Sequence, residues 1–146
     1  MNFGINREIF FEALSHIQGV IEKKGTLPIL SNVLIEAKNS KLILTSTDLD
    51  IIFIEEISNL EIIHEGATTT SASILYDIIR KFPNNSKIQI KLLTDSKLEI
   101  KSGSSHFNLL CLSAEDFPLS KENFLEENLK INSKKLLKLI NKTKIS

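Results

Sequence analysis

The chain has 146 residues, enough for one ordinary domain and too few for two. Apolar residues make up 42% and charged residues 25%, the balance of a globular fold. Eighteen basic side chains match eighteen acidic ones, so no strong net field favours tight, sequence-specific nucleic-acid binding.

In chain order, Asn2 to Ile5 alternates like a short strand. Asn6 then stands where a helix cap belongs, because Ile9, Phe10, Ala13, Leu14 and Ile17 recur at helical spacing. Pro28 in "TLPIL" sets an extended entry to the next strand. Three runs of strand period come after it: "NVLIEA", "KLILTSTD" and "IIFIEEI". Ala67 to Thr70 reads as another strand. Ser71 precedes a second helical stripe of Ile74, Leu75, Ile78, Ile79 and Phe82. Beyond it lie three more strand-like runs, "KIQIKLL", "KLEIKSG" and "HFNLLCL", with "KNS", "TDS" and "SGSS" among the turns.

The two helical stripes match at all five positions with a constant offset of 65. Each unit thus reads strand, helix, three strands, and two such units make one α+β domain over residues 1–125. Residues 126–146 differ in kind. "EENLKI" and "NSKKLLKLINK" look like the first strand and helix of a third unit. Ser133, Leu136, Leu137 and Ile140 repeat the second stripe at an offset of 62. The match fails at Asn141 and Lys144. Residues 1–125 carry 12 basic and 16 acidic side chains, whereas residues 128–146 carry six lysines and no acid. The expectation for the last helix, cut off from a covering sheet, is fraying or self-adhesion through Leu136 and Leu137.

"GTLPILSNVLIEA" followed by "LTSTDLDI" closely resembles the start of the bacterial DNA polymerase III β subunit family, the sliding clamps. "EGATTTSA", "IRKFP" and "SAEDFP" fall in the order that family would have. The resemblance covers the chain almost without gaps. It implies the DNA clamp fold, with antiparallel sheets outside and helices on the inner face. Two units would form each domain, three domains each chain, and a homodimeric ring would encircle duplex DNA. It also implies the polymerase III core and the clamp loader as partners, and neither catalysis nor a cofactor. By that likeness the chain is the first domain plus the start of the second, a truncated form that cannot close a ring.

The same resemblance assigns sites. Lys23 and Lys24 sit in the loop after the first helix, where the family presents a basic DNA contact. Arg80 and Lys81 end the second helix. Lys134, Lys138 and Lys142 form a stripe opposite the apolar one, with Lys135 beside it. Lysines near helix ends also serve the helix dipole and need no DNA. Ser73 replaces a position that is often basic in relatives. For the subunit interface the resemblance points to "HFNLLCL" as an edge strand, with Phe107 and Leu109 as apolar contacts and Lys97 as an ion-pairing group. An ordinary core role for Phe107 and Leu109 stands beside that reading. Ser104 and His106 replace positions that are often basic.

Little points to chemistry. Asp48 and Asp50 could share a face of a strand, but "TSTDLD" reads as a strand end and tight turn, with Asp48 bonding backbone amides. His16, His64 and His106 lack metal-site spacing. The one cysteine, Cys111, lies in an apolar run as an inert buried thiol. One cysteine and no secretory leader favour a reducing cytoplasm. Two other readings remain open: a β-edge interaction module that binds another protein and not DNA, and an inactive clamp remnant.

Overall fold

The computed structural model describes residues 1–21, 27–119 and 131–143. Its elements are β1 (Asn2–Asn6), α1 (Arg7–Ile17), β2 (Asn32–Lys38), β3 (Lys41–Thr47), β4 (Ile52–Ser58), β5 (Glu61–His64), β6 (Gly66–Ser71), α2 (Ala72–Lys81), β7 (Lys87–Thr94), β8 (Lys97–Ser102), β9 (Ser105–Leu112) and α3 (Ser133–Thr143). Short 3-10 turns cover Pro28–Ser31 and Ala114–Asp116. The α+β class and both strand–helix–three-strand units are present as expected. No described helix is long and apolar enough to cross a membrane.

The helices start where local chemistry says they should. Asn6 Oδ1 accepts from the Glu8 amide at 2.8 Å, and Ser71 Oγ accepts from the Ile74 amide at 3.4 Å. Ser133 is not the cap of α3. Asn132 takes that role, accepting from the Lys134 and Lys135 amides at 3.0 and 3.4 Å.

Nine strands form one sheet in the order β4-β3-β2-β6-β9-β8-β7-β1-β5. The repeats exchange their leading strands. β1 opens the first unit but pairs with β7 of the second, and β6 opens the second but pairs with β2 of the first. The registers match across the repeat. Phe3 faces Ile90, and the equivalent Thr68 faces Ile35. Farther out, Ile90 faces Ile100 just as Ile35 faces Leu44. Each half of the sheet therefore contains strands from both units, which ties them into one cooperative body.

Both helices bury one side against the sheet. Phe10, Ala13, Leu14 and Ile17 of α1 join Ala72, Leu75 and Ile79 of α2 in a single core. Strand residues Phe3, Ile35, Leu44, Ile88, Ile90, Leu98 and Ile100 complete it. The expected stripes are one residue too wide: Ile9 and its counterpart Ile74 are both exposed. Each lies in the first turn of its helix, at the rim of the buried face. β5 was not expected, since its four residues are too short to show a period.

Candidate functional site

The free face of the helix pair carries the basic groups. α1 and α2 lie antiparallel, with the Phe11 and Tyr76 rings stacked at 5.2 Å and 23°. The Arg7 guanidinium lies 4.4 Å from the Phe11 ring centre, and that of Arg80 lies 5.7 Å from Tyr76. Arg7 Nη2 donates to the Arg80 carbonyl at 2.9 Å, and its Nε donates to the Ile79 carbonyl at 3.3 Å. Arg80 Nη2 is 2.9 Å from Asp77 Oδ1, one turn back on α2. Lys81 is exposed beside it. Three cations thus gather at the C-terminal turn of α2, where the carbonyl ends favour positive charge.

Arg7 was absent from the sequence assignments. Its signal is a local misfit: a cation in the first turn of α1 opposes that helix's own dipole. The antiparallel packing resolves the misfit by placing it at the end of α2. Next door, Glu8 Oε1 accepts from the Asn85 amide at 2.6 Å. That bond leads the causes holding its carboxyl below the usual range, with the nearby Arg7 charge adding to it.

Five other lysines were expected to face DNA. Lys23 and Lys24 lie outside the described residues. Lys134, Lys135 and Lys138 are exposed on α3, as is every residue of that helix. Ser73 is half-buried at the start of α2.

The expected subunit edge differs from the simple picture. β9 is not a terminal strand of the sheet. β8 pairs along it from Ser105 to Leu110, and β6 meets it only at Cys111 and Leu112. Among the described residues, its first half therefore has one open side. Sheet ends fall at β4 and β5. Phe107 and Leu109 do share a face, the inner one. Leu109 is only 9% exposed and belongs to the core, while Phe107 is 40% exposed and packs edge-on to Phe82 at 5.9 Å. Lys97 faces Leu110 on the opposite side of the sheet, so the three do not converge. Leu110, 86% exposed, and Leu112, 47%, are large apolar side chains of that outer face that the sequence assignments missed. Strand parity could have found them.

His106 replaces an expected cation and joins a small charge cluster. Glu99 bridges Lys101 Nζ and His106 Nε2, each at 2.9 Å. The hydrogen bond from Lys101, then its charge and that of His106, hold the Glu99 carboxyl below its usual range.

Asp48 is a turn residue. Its Oδ1 accepts from the Asp50 and Ile51 amides at 3.1 and 2.7 Å, as expected. Thr47 Oγ1 accepts from the Leu49 amide and donates to the Ile51 carbonyl. Cys111 is buried, and burial pushes its thiol up, away from the reactive thiolate. Among the described residues, no three of His, Cys, Asp and Glu come together as a metal site.

The family model for the DNA polymerase III beta subunit, N-terminal domain, matches residues 1–121. The chain belongs to that family. It is 36% identical over 148 residues to the beta sliding clamp of Caulobacter vibrioides, covering 100% of this chain and 39% of the relative. With the beta sliding clamp of Pseudomonas putida it shares 37% over 143 residues, again 39% of that protein. Among solved structures, the Caulobacter crescentus pol III beta matches at a TM-score of 0.89 with 36% identity, over 97% of this chain and 38% of that one. A sliding clamp from Bartonella birtlesii matches at a TM-score of 0.79 with 42% identity, over 82% of this chain and 32% of that one. The chain thus spans about two fifths of the length of the clamps it matches most fully.

Proposed function

We propose that this chain supplies the first domain of a sliding clamp, which holds a replicative polymerase on duplex DNA without catalysing a reaction. Residues 1–125 form that domain in this reading, and residues 126–146 begin the next one. The observation that carries it is the family match over residues 1–121, joined to a free helix face bearing Arg7, Arg80 and Lys81. A sliding contact needs few cations. Each phosphate neutralised steepens the salt dependence of binding, and a tight grip would stop the slide. Lys23, Lys24, Lys134, Lys135 and Lys138 add to the DNA-facing set in this reading. Lys97, Phe107 and Leu109 line the subunit contact, where a partner subunit adds to the open half of β9. The protein acts in the bacterial cytoplasm, with the polymerase III core and the clamp loader as partners and no cofactor.

The test is a chimera. Residues 1–125 replace the matching segment of the Caulobacter vibrioides clamp, and the product is loaded on circular DNA. We expect retention on the circle, loss on linearisation, and processive synthesis with the cognate polymerase. Arg80→Glu with Lys81→Glu should weaken loading several-fold at low salt and much less at high salt. A folded chimera that dimerises but never stays on circular DNA sinks the reading. It would favour the second one, a module that binds protein through the open edge of β9 and has no DNA role.

A further inference from the structure

The two halves of the sheet are equivalent in register, yet their outer faces differ, most sharply at Gly4. Superposing the pair Ile35–Leu44 on Ile90–Ile100 sets Lys87 on Asn32, Gln89 on Leu34, Lys91 on Glu36 and Lys101 on Thr45. The same match sets Gly4 on Thr69. In the first half that spot is filled. Asn32 and Thr69 are both buried, and Asn32 Nδ2 donates to Thr69 Oγ1 at 3.2 Å. In the second half it is open. Gly4 has no side chain, and Lys87 lies across it: a Cβ on Gly4 would stand 3.1 Å from Lys87 Cε. A groove of about 490 Å³ remains there, lined by Gly4, Glu61, Ile63, Lys87, Gln89 and Lys101 and by the β8–β9 turn. Register explains its course. Gly4 faces Glu61 on one side and Gln89 on the other, and Gln89 faces Lys101. One row of residues thus crosses four strands, about 14 Å at the usual strand spacing, with Gly4 as its low point.

Charge follows the same division. The outer face of this half sets Lys87, Lys91, Lys97 and Lys101 against Glu61 and Glu99. The equivalent face of the other half sets Lys38 and Lys41 against Glu36 and Glu56. The fold therefore does not require the extra lysines. Lys87 meets Glu61 only at 3.9 Å, with both side chains more than three quarters exposed, so the pair is weak. Glu99 is answered twice, by Lys101 and by His106. Among the described residues Lys91 has no ion pair. The balance is a positive groove with an exposed isoleucine, Ile63, at one end.

We propose that this groove binds an extended acidic peptide segment of a partner protein. Lys87 and Lys101 meet its carboxylates, and Ile63 meets an apolar side chain beside them. The cations are lysines, which lack the planar fork that grips phosphate in two places. The outer faces of β1, β5, β7 and β8 carry no arginine and no aromatic ring on which a base could stack. A row of about 14 Å takes about four residues of extended chain. The helices bearing Arg7, Arg80 and Lys81 lie on the other side of the sheet, so this contact stands or falls apart from any contact with DNA.

Fluorescence anisotropy of the whole chain with a short labelled peptide, glutamate alternating with valine, tests it. We expect binding at low salt that weakens as salt rises. Lys87→Gln with Lys101→Gln should weaken it about three- to tenfold, the range for two exposed ion pairs. Lys38→Gln with Lys41→Gln removes the same charge from the other half and should change it less than about twofold. Gly4→Thr installs the residue of the equivalent position and keeps every charge. It should weaken binding as much as the Lys87 and Lys101 pair does, by filling the floor of the groove. Gly4→Ala, whose Cβ alone displaces Lys87, takes its place should Gly4→Thr fail to fold by circular dichroism. Several results overturn the proposal. A wild-type chain that ignores the peptide at low salt removes the site. Equal losses for the two lysine pairs, or full binding by a folded Gly4 variant, reduce it to general surface charge. Oligothymidine that displaces the peptide, and is itself lost with Lys87 and Lys101, makes the occupant a nucleic acid. Self-association of the wild type that the peptide disperses makes it a second copy of this chain.

Discussion

Phe11 and Tyr76 stack on each other at 5.2 Å, and they are the same residue of the two repeats, 65 positions apart. A position that meets its own equivalent lies on the symmetry axis. The internal two-fold therefore runs between these rings, through the centre of the helix layer. Arg7 and Arg80 flank the stack and cover its two ends. The aromatic pair joins the units on the helix side, as the exchanged strands β1 and β6 join them in the sheet.

The stack should register as coupling between two distant parts of the sequence. Phe11→Leu and Tyr76→Leu each remove an aromatic face and keep an apolar residue. A double-mutant cycle by urea unfolding should give an interaction of about 0.5–1.5 kcal/mol, the range for aromatic pairs. Strictly additive losses would mean the rings are neighbours without an energetic tie.

Much of this was legible in the sequence, because periodicity reports local geometry. The caps Asn6 and Ser71, the first two helices and every strand but β5 are readable from residue spacing and side-chain chemistry. Exchange of the leading strands is not. Which strand β1 pairs with is decided by contacts such as Phe3 with Ile90, far apart in the chain, and no local pattern encodes that choice. For the same reason Arg7 went unassigned, since its hydrogen-bond partners lie on α2. The edge role of "HFNLLCL" came from the family resemblance, and no local pattern shows that β6 pairs with its end at Cys111 and Leu112. Leu110 was missed because the resemblance directed attention to Phe107 and Leu109, on the opposite face of the strand.

The β3–β4 turn holds Leu49 at a φ of 80°, in a region large side chains avoid. The bonds from Thr47 and Asp48 hold the turn in that shape. Asp48→Ala should destabilise the fold by about 1 kcal/mol, through the loss of the acceptor for two amides. Asp48→Asn, which keeps an acceptor, should recover most of that. Leu49→Gly relieves the left-handed strain but adds backbone freedom to the unfolded chain, so a small gain, below about 1 kcal/mol, is expected. Thermal unfolding of the three variants checks the order. A clear loss for Leu49→Gly would show that the side chain, 57% exposed, contributes more than the strain removes.

Glu99 makes stability depend on acid pH. Its carboxyl is held below its ordinary value of 4.5 by the Lys101 hydrogen bond, then by the charges of Lys101 and His106. A depressed folded-state pKa gives stability that is present above the unfolded value and lost as pH falls through the folded one. Stability should therefore decline on the acid side of about 4.5, and the decline should be shallower in Glu99→Gln. The two proteins should converge at the lowest pH, where both side chains are neutral. Curves that stay parallel from pH 7 to pH 3 would remove Glu99 from the acid transition.

Arg7 is tied to the fold by two hydrogen bonds and an aromatic face, so its removal should cost more than that of a surface charge. Its donors reach the carbonyls of Ile79 and Arg80 in the last turn of α2, where carbonyls lack the usual helical acceptor bond; the Ile79 carbonyl also accepts from the Phe82 amide at 3.3 Å. Arg7→Ala should destabilise by about 1–2 kcal/mol, the range for charge-assisted bonds at a helix end. Arg7→Lys keeps the charge but offers no planar fork for two carbonyls while lying on Phe11, so it should recover less than half. Arg80 bonds Asp77 on its own helix and is exposed, so Arg80→Ala should lose under about 0.5 kcal/mol. Urea unfolding of the three variants makes the comparison. Equal losses for Arg7→Ala and Arg80→Ala would mean that the bonds across the helix pair add nothing to Arg7 beyond its surface charge.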